Sequence, residues 1–423
     1  MWQETSASLA SLRMAIPSSA PTIDTADTIS FSLAFTTLHF PPTSTPPLAR
    51  SGHRICIDNG NLYSFGGFNS TCRSTNNGLF PELWKLNLAT QRWTLLSSGS
   101  PLEAASHTMV LQDSCLLIFG GTGYPWGQRL SNTIHVFHIP SAAWTGLQCL
   151  GDIPTPRYGH SMSLTSDGMF VLGGTTGSQY NMQVYRLDVT DLLWRDVTPR
   201  LSLTPHTDLT VVSQTFPPPR YRHEVVEWND HLLMFGGGAG PQIFGFGEIW
   251  AFSIKLTTWT KVKCHPCDRC KKYPIPRKFH AVVQYGNYAY LCGGLTATKI
   301  LDDFWRLHLP TLQWRRMEDR LPQPLYFHAA AVTPAGCLYV FGGVVRTGQE
   351  KRTNDVCKKW LVVPSLQEMV WDVLVKKHSE SFAHRHFSPL LKKSGMCLPL
   401  KFLQRINVPS SSTSKKSSSP KPA

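Results

Sequence analysis

The chain has 423 residues, 42% apolar and only 16% charged, which excludes general disorder and leaves apolar mass for large cores. Its 31 glycines and 31 prolines require many turns, so the composition leans all-β. The formal charge of +14 invites a nucleic-acid reading, but residues 351–423 hold 14 Lys/Arg against 4 Asp/Glu, so most of the surplus sits in the C-terminal segment. A solvated basic tail is the plain reading of it, and contact with RNA or an acidic surface is the other. No nucleic-acid partner is expected for the rest of the chain.

Residues 1–27 are rich in Ser, Ala and Thr, with one Arg (Arg13) and three acids. They lack a basic segment followed by an apolar one, so they read as a disordered N-terminus and not a secretory signal. A mitochondrial presequence is the alternative. No run of 18 apolar residues occurs, and no membrane partner is expected. The 11 cysteines are odd in number, and Cys56, Cys115, Cys292 and Cys337 lie inside strand-like runs. That suits buried thiols in a reducing compartment, hence a cytoplasmic or nuclear location.

Ile29–Phe35 alternates apolar and polar residues and predicts a half-buried strand. A repeat follows. Short apolar runs end in Gly-Gly at 66–67, 120–121, 173–174, 236–237, 293–294 and 342–343. A histidine precedes each pair by 13 or 14 residues: His53, His107, His160, His223, His280 and His328. Arg50, Arg157, Arg220 and Arg277 precede four of these histidines by three. Trp93, Trp144, Trp194, Trp259 and Trp314 follow the first five pairs by about 20–26 residues. The apolar run reads as a buried strand, Gly-Gly as a close backbone approach, and the Trp as a wedge on an outer strand. Four strands per unit at a period near 50 describe a propeller blade.

These coordinated motifs resemble the kelch repeat over about residues 50–363. The fold class is therefore all-β, a six-bladed kelch β-propeller with a short C-terminal helical box. The sixth repeat lacks a trailing Trp strand, so residues 28–40 are predicted to close the ring as its outer strand. The propeller is taken as residues 28–363. The histidines read as satisfied core residues, and the four arginines as structural ties between neighbouring blades.

Between Trp259 and Arg277 lies Cys264-His-Pro-Cys267-Asp-Arg-Cys270. Structural zinc needs four ligands, and His265 adjoins Cys264 awkwardly. A plain exposed loop is expected, with zinc and redox chemistry as alternatives. No phosphate loop, Gly-x-Ser-x-Gly elbow or His-Glu-x-x-His occurs, and Glu368-x-x-x-Asp372 is followed by Lys376 where iron-dependent relatives need His. The chain reads as a binding protein, not an enzyme, with no cofactor and no metal.

From Pro364 the period changes. Apolar residues at 366, 369, 370, 373 and 374 predict an amphipathic helix, with Ser365 and Glu368 as its capping box. Further helices are expected near 381–392 and from Pro399, the last carrying Phe402, Leu403 and Ile406. The helical segment is taken as 364–407 and a disordered Ser/Lys tail as 408–423. Ser365-Leu366-x-x-x-Val370-x-x-x-Leu374 resembles an elongin-C-binding box, with Val370 where Cys is usual. Leu398-Pro399-Leu400-Lys401-Phe402 resembles the core of a cullin-2 box. Kelch repeats followed by such boxes resemble the kelch-repeat substrate receptors of cullin-2 ubiquitin ligases. The stretches Phe119–Gly127, Arg220–Glu224 and Tyr326–Gly336 carry the same resemblance.

That resemblance implies elongin B/C and cullin-2 as partners, and substrates with exposed C-terminal tails that typically end in glycine. It implies adaptor contacts from Leu366, Met369, Val370, Val373, Leu374, Leu398 and Pro399. In a propeller the residues just after each Arg of Arg-x-x-His rim one channel mouth. Arg222 and Lys278 are the expected carboxylate donors, with Arg220 beside them and Tyr158, Tyr221 and Tyr326 as walls. The alternative is a kelch scaffold for a signalling or cytoskeletal partner without a ligase role.

Overall fold

The computed structural model describes residues 33–406 apart from 73–76, 103, 201–215, 349 and 383–399. Each repeat forms an antiparallel sheet of four main strands. In the first these are Arg54–Ile57, Asn61–Phe65, Leu83–Asn87 and Arg92–Ser97. The innermost strands are Arg54–Ile57, Thr108–Gln112, Ser161–Thr165, Glu224–Trp228, Ala281–Tyr285 and Ala329–Val332. Each touches the next, and the last touches the first. The fold is a closed six-bladed propeller around a central channel.

The repeat signals join neighbouring blades. Gly66 and Gly67 have φ of 70° and 99°. A Cβ on Gly66 would stand 2.8 Å from His107 Cε1, in the next blade. The same pairing sets His160 on Gly120, and it closes with His53 on Gly342. Glycine is required because the next blade's imidazole takes the Cβ space. The tryptophans lie on the fourth strands, where Trp144 meets Phe65 of the preceding blade at 5.3 Å and Trp194 meets Phe119 at 5.4 Å. At the closure Trp93 meets Phe341 at 5.3 Å.

The arginines tie their own blades, not neighbouring ones. Arg50, Arg157, Arg220 and Arg277 donate to the carbonyls of Gly66, Gly173, Gly236 and Gly293 at 3.0–3.2 Å. Their Nε atoms donate to carbonyls two residues upstream.

In the last blade the outer strand is Thr36–Thr37, antiparallel to Val356–Trp360, with Thr36 opposite Lys358. It lies within the 28–40 segment but just after the alternating run, of which residues 29–32 fall outside the described residues. Phe35 is instead turned into the wedge against Phe304, 5.3 Å away edge-on.

Helix α1 spans Leu366–Phe382 and α2 spans Leu400–Arg405. Ser365 Oγ accepts the Glu368 N–H at 3.3 Å, so it caps α1. The reciprocal half of the box is not the use of Glu368. Its carboxylate takes a fork from Arg405 at 2.7 and 2.9 Å, joining α2 to α1. Trp371 stacks on Phe402 at 4.9 Å, and Asn87 of the first blade donates to the Arg405 carbonyl at 2.8 Å. The packed face of α1 is Glu368, Trp371, Asp372 and Val375, while the apolar stripe at 366, 369, 370, 373 and 374 is half-buried or exposed. Hydrophobic patterning could not foresee this, because two buried carboxylates, held by Arg405 and Lys358, belong to that face. Of the helix expected near 381–392, α1 reaches Phe382 and the rest lies outside the described residues. Among the described residues no helix is long and apolar enough to cross a membrane.

Candidate functional site

The residue before each repeat histidine is left-handed. Gly52, Ser106, Gly159, Arg222, Phe279 and Phe327 have φ between 56° and 68°. Their backbones form a chain of hydrogen bonds around the channel mouth. Gly52 N–H donates to Phe327, Ser106 to Gly52, Gly159 to Ser106, Arg222 to Gly159 and Phe327 to Phe279, at 2.6–3.0 Å. The residues one position earlier, Ser51, Ala105, Tyr158, Tyr221, Lys278 and Tyr326, each bridge to the residue after their own Gly-Gly. These two rings rim the mouth. Positive φ costs non-glycine residues roughly 1 kcal/mol or more, and the ring holds four of them.

Side chains make the ring asymmetric. Glycines at 52 and 159 leave room, and Arg222 fills it. An added Cβ on Gly52 would lie 3.5 Å from Arg222 Nη2, and one on Gly159 would lie 3.5 Å from its Cδ. Arg222 thus crosses from the fourth blade towards the first and second. It donates to Ser106 Oγ and lies over the Phe327 ring at 4.5 Å. It is only 8% exposed, its Nε has no acceptor, and no described carboxylate pairs with it. Glu224, the acid whose charge acts on Arg222, is taken by Arg54 at 2.9 Å. Burial, and then the Arg54 charge, push the Arg222 pKa down to about 9. A buried guanidinium held by one hydroxyl favours an anion that brings its own charge.

Arg222 opens into a cavity of about 270 Å³, walled by Phe68, Trp126, Tyr158, Tyr221 and Phe327. Tyr221 meets Tyr180 at 5.1 Å and Phe279 at 5.8 Å, and Phe279 stacks on Phe327 at 3.9 Å. Across the cavity Arg352 donates to Ser51 Oγ at 2.9 Å and pairs with Glu350 at 2.7 Å, so its charge is already balanced.

The structure brings Arg222, Tyr158 and Tyr221 together as expected residues of one cavity. Arg220 is not among its lining. It is committed to the Pro218 and Gly236 carbonyls and to the Phe244 face at 3.6 Å. Lys278 reaches the Gly240 carbonyl at 3.2 Å, away from Arg222. Tyr326 is buried behind the rim with Phe279 and Val344. Ser106, Phe68, Trp126 and Arg352 were not foreseen. Ser106 was within reach of the sequence, since it shares the Arg222 position of the repeat. Phe68 and Trp126 come from loops after Gly-Gly pairs and Arg352 from a short hairpin, Val344–Arg346 with Lys351–Arg352, after the sixth, where the repeat sets no residue type.

On α1, Leu366 is 75% and Val370 52% exposed, while Met369, Val373 and Leu374 are half-buried. The first two stand one turn apart on an uncovered apolar strip. Leu398 and Pro399 lie outside the described residues.

The Cys264–Cys270 segment is not a plain exposed loop. Cys264 and Cys267 are fully buried in the core between the fourth and fifth blades. His265 adds parallel pairing to the outer strand of the fifth blade: its N–H donates to Leu312 at 2.8 Å and its carbonyl accepts from Trp314 at 3.0 Å. Among the described residues no three His, Cys, Asp or Glu side chains gather as metal ligands.

Residues 22–212 and 203–396 match the family model of the KLHDC2/KLHL20/DRC7 kelch-repeats domain. The chain is 37% identical to kelch domain-containing protein 10 of Rattus norvegicus over 342 residues, 79% of this chain and 81% of that one. The Homo sapiens protein of that name is 37% identical over 338 residues, covering 78% of this chain and 74% of its own length. The Drosophila melanogaster homolog is 38% identical over 358 residues, covering 78% and 57%. Six coordinated blades, the family match and these identities agree: the chain belongs to the kelch-repeat family, as a relative of kelch domain-containing protein 10.

Proposed function

We propose that this kelch interaction platform is a substrate receptor of a cullin-2 ubiquitin ligase, holding protein C-terminal tails at its channel mouth and elongin C on α1. The observation that carries the first half is Arg222, a buried cation whose charge no described carboxylate balances, at the floor of an aromatic cavity. A terminal carboxylate supplies the missing charge, and the aromatic walls pack the residues before it. The second half rests on the uncovered Leu366 and Val370, at the spacing of the elongin-C-binding box.

Two experiments test the halves separately. A peptide with a free C-terminus should bind at least about tenfold more tightly than its amide, roughly 1.4 kcal/mol. Equal affinities would remove the carboxylate model. Elongin B/C should co-purify with the intact chain and be lost on Leu366→Asp. Capture of neither by the folded chain would favour a kelch scaffold without a ligase role.

A further inference from the structure

The Cys-x-x-Cys pairs overlap: Cys264 with Cys267, and Cys267 with Cys270. Their surroundings differ. Cys264 is sealed in the core between blades, and burial pushes its thiol up to about 12. Cys270 is half-buried. Cys267 begins a single helical turn, in which Lys271 N–H donates to the Cys267 carbonyl at 2.7 Å and Cys267 N–H donates to Lys272 at 2.9 Å. Its sulfur also accepts the Arg316 N–H from the fifth blade's outer strand at 3.5 Å. Burial pushes the Cys267 thiol up, but the Arg316 N–H, the N–H and thiol of Cys270 and the Arg269 N–H outweigh it and pull it down to about 7. Cys267 is itself buried, but unlike Cys264 it borders a cavity of about 310 Å³, together with Arg269, Tyr288, Arg306, His308 and Arg315. Three guanidiniums thus border the space from which a small solute would approach Cys267.

We infer that Cys267 and Cys270 form a peroxide-responsive dithiol, oxidised by small hydroperoxides to a reversible disulfide. Residues three apart on a helical turn are neighbours, within the reach a disulfide needs. The Cys267 thiolate attacks the terminal peroxide oxygen; the O–O bond breaks, and the second oxygen leaves as hydroxide from hydrogen peroxide or alkoxide from an organic hydroperoxide, which the bordering guanidiniums stabilise before it takes a proton. The Cys270 thiol then attacks the Cys267 sulfenic sulfur, the S–S bond forms and water leaves. The two sulfurs together lose two electrons, and the two peroxide oxygens gain them. A dithiol reverses the step by exchange. Cys264 takes no part, because its thiol is neutral and sealed. The bond draws the Cys267 sulfur away from the Arg316 N–H, so oxidation loosens the hold of this loop on the fifth blade.

The test treats the purified full chain with hydrogen peroxide, alkylates the remaining thiols and maps the peptides. The expected result is a Cys267–Cys270 disulfide formed at least tenfold faster than oxidation at the half-buried Cys115, and reversed by dithiothreitol. Cys270→Ser should stop at a sulfenic acid on Cys267 that dimedone traps. Cys267→Ser should leave Cys270 no faster than Cys115. Three results would overturn the inference: equal rates at Cys267 and Cys115, a Cys264–Cys267 bond, or thiols blocked by a metal that only a chelator releases. A matching thermal melt for each variant shows that the blade has folded, so a silent Cys267→Ser counts as support.

Discussion

Arg220 and Arg222 stand two residues apart in the same blade, both buried, and they do opposite things. Arg220 follows the repeat: its guanidinium is spent on backbone carbonyls and one phenyl face. Arg222 departs from the repeat and meets one hydroxyl, one phenyl face and an open cavity. A buried cation that the fold uses is tied to its backbone. One that the fold does not use is left with capacity for a ligand. The lesson applies to any repeat protein, where the frame is read from what recurs and the site from what breaks the recurrence.

The frame should fail first. Arg277→Ala leaves Asp303 buried beside an empty space, where the pair now forms a fork at 2.5 and 2.9 Å. It should cost about 3–5 kcal/mol of stability by thermal or urea unfolding. A loss below about 1 kcal/mol would erase the distinction between the frame arginines and Arg222.

Acid tests the same frame through its histidines. Burial is the main cause that pushes His107 and His223 down to about 3 and His328 down to about 4. Their folded pKa values lie below the unfolded value of about 6.5, so the unfolded chain binds more protons in between. Their contribution is whole above pH 6.5 and is lost as pH falls towards 4. Each should cost about 1.4 kcal/mol per pH unit there, about 4 kcal/mol for the three. A melting temperature flat from pH 6.5 to 4.5 would contradict this burial.

Arg222→Ala should behave in the reverse sense. It should weaken a free-acid tail peptide at least tenfold in titration calorimetry, about 1.4 kcal/mol, and remove the preference over the amide. Stability should stay within about 0.5 kcal/mol or rise, because an unbalanced buried charge is removed. Parallel losses of stability and binding would make Arg222 another frame residue. The smallest effect belongs to Leu366→Asp, at a side chain 75% exposed. Its melting curve should move by less than about 0.5 kcal/mol while adaptor capture is lost.

The blades were legible because each signal is periodic and each has a steric cause. Gly66 must be glycine where His107 takes its Cβ space, and that constraint recurs around the ring. Arg222, Tyr158 and Tyr221 could be placed because their positions count from those histidines. Lys278 and Tyr326 share the same count but not the same cavity, since a rim position does not fix the direction of a long side chain. Trp126 and Arg352 lie in a loop and a short hairpin that the repeat leaves unspecified. The packed face of α1 was not legible, for a different reason. Glu368 and Asp372 look solvent-facing in sequence, and only their cationic partners Arg405 and Lys358 make them buried.

Lys358 carries a mechanical consequence. Its backbone lies opposite Thr36, where the first and last strands of the propeller meet, and its ammonium holds Asp372 of α1. One residue therefore fastens both the clasp of the ring and the helix hung beneath it. A load applied to α1 is delivered to the seam where the circle is joined, and through α2 to Asn87 of the first blade. Prying α1 away would strand a buried ammonium beside a strand only two residues long, so the seam is where this propeller would begin to open.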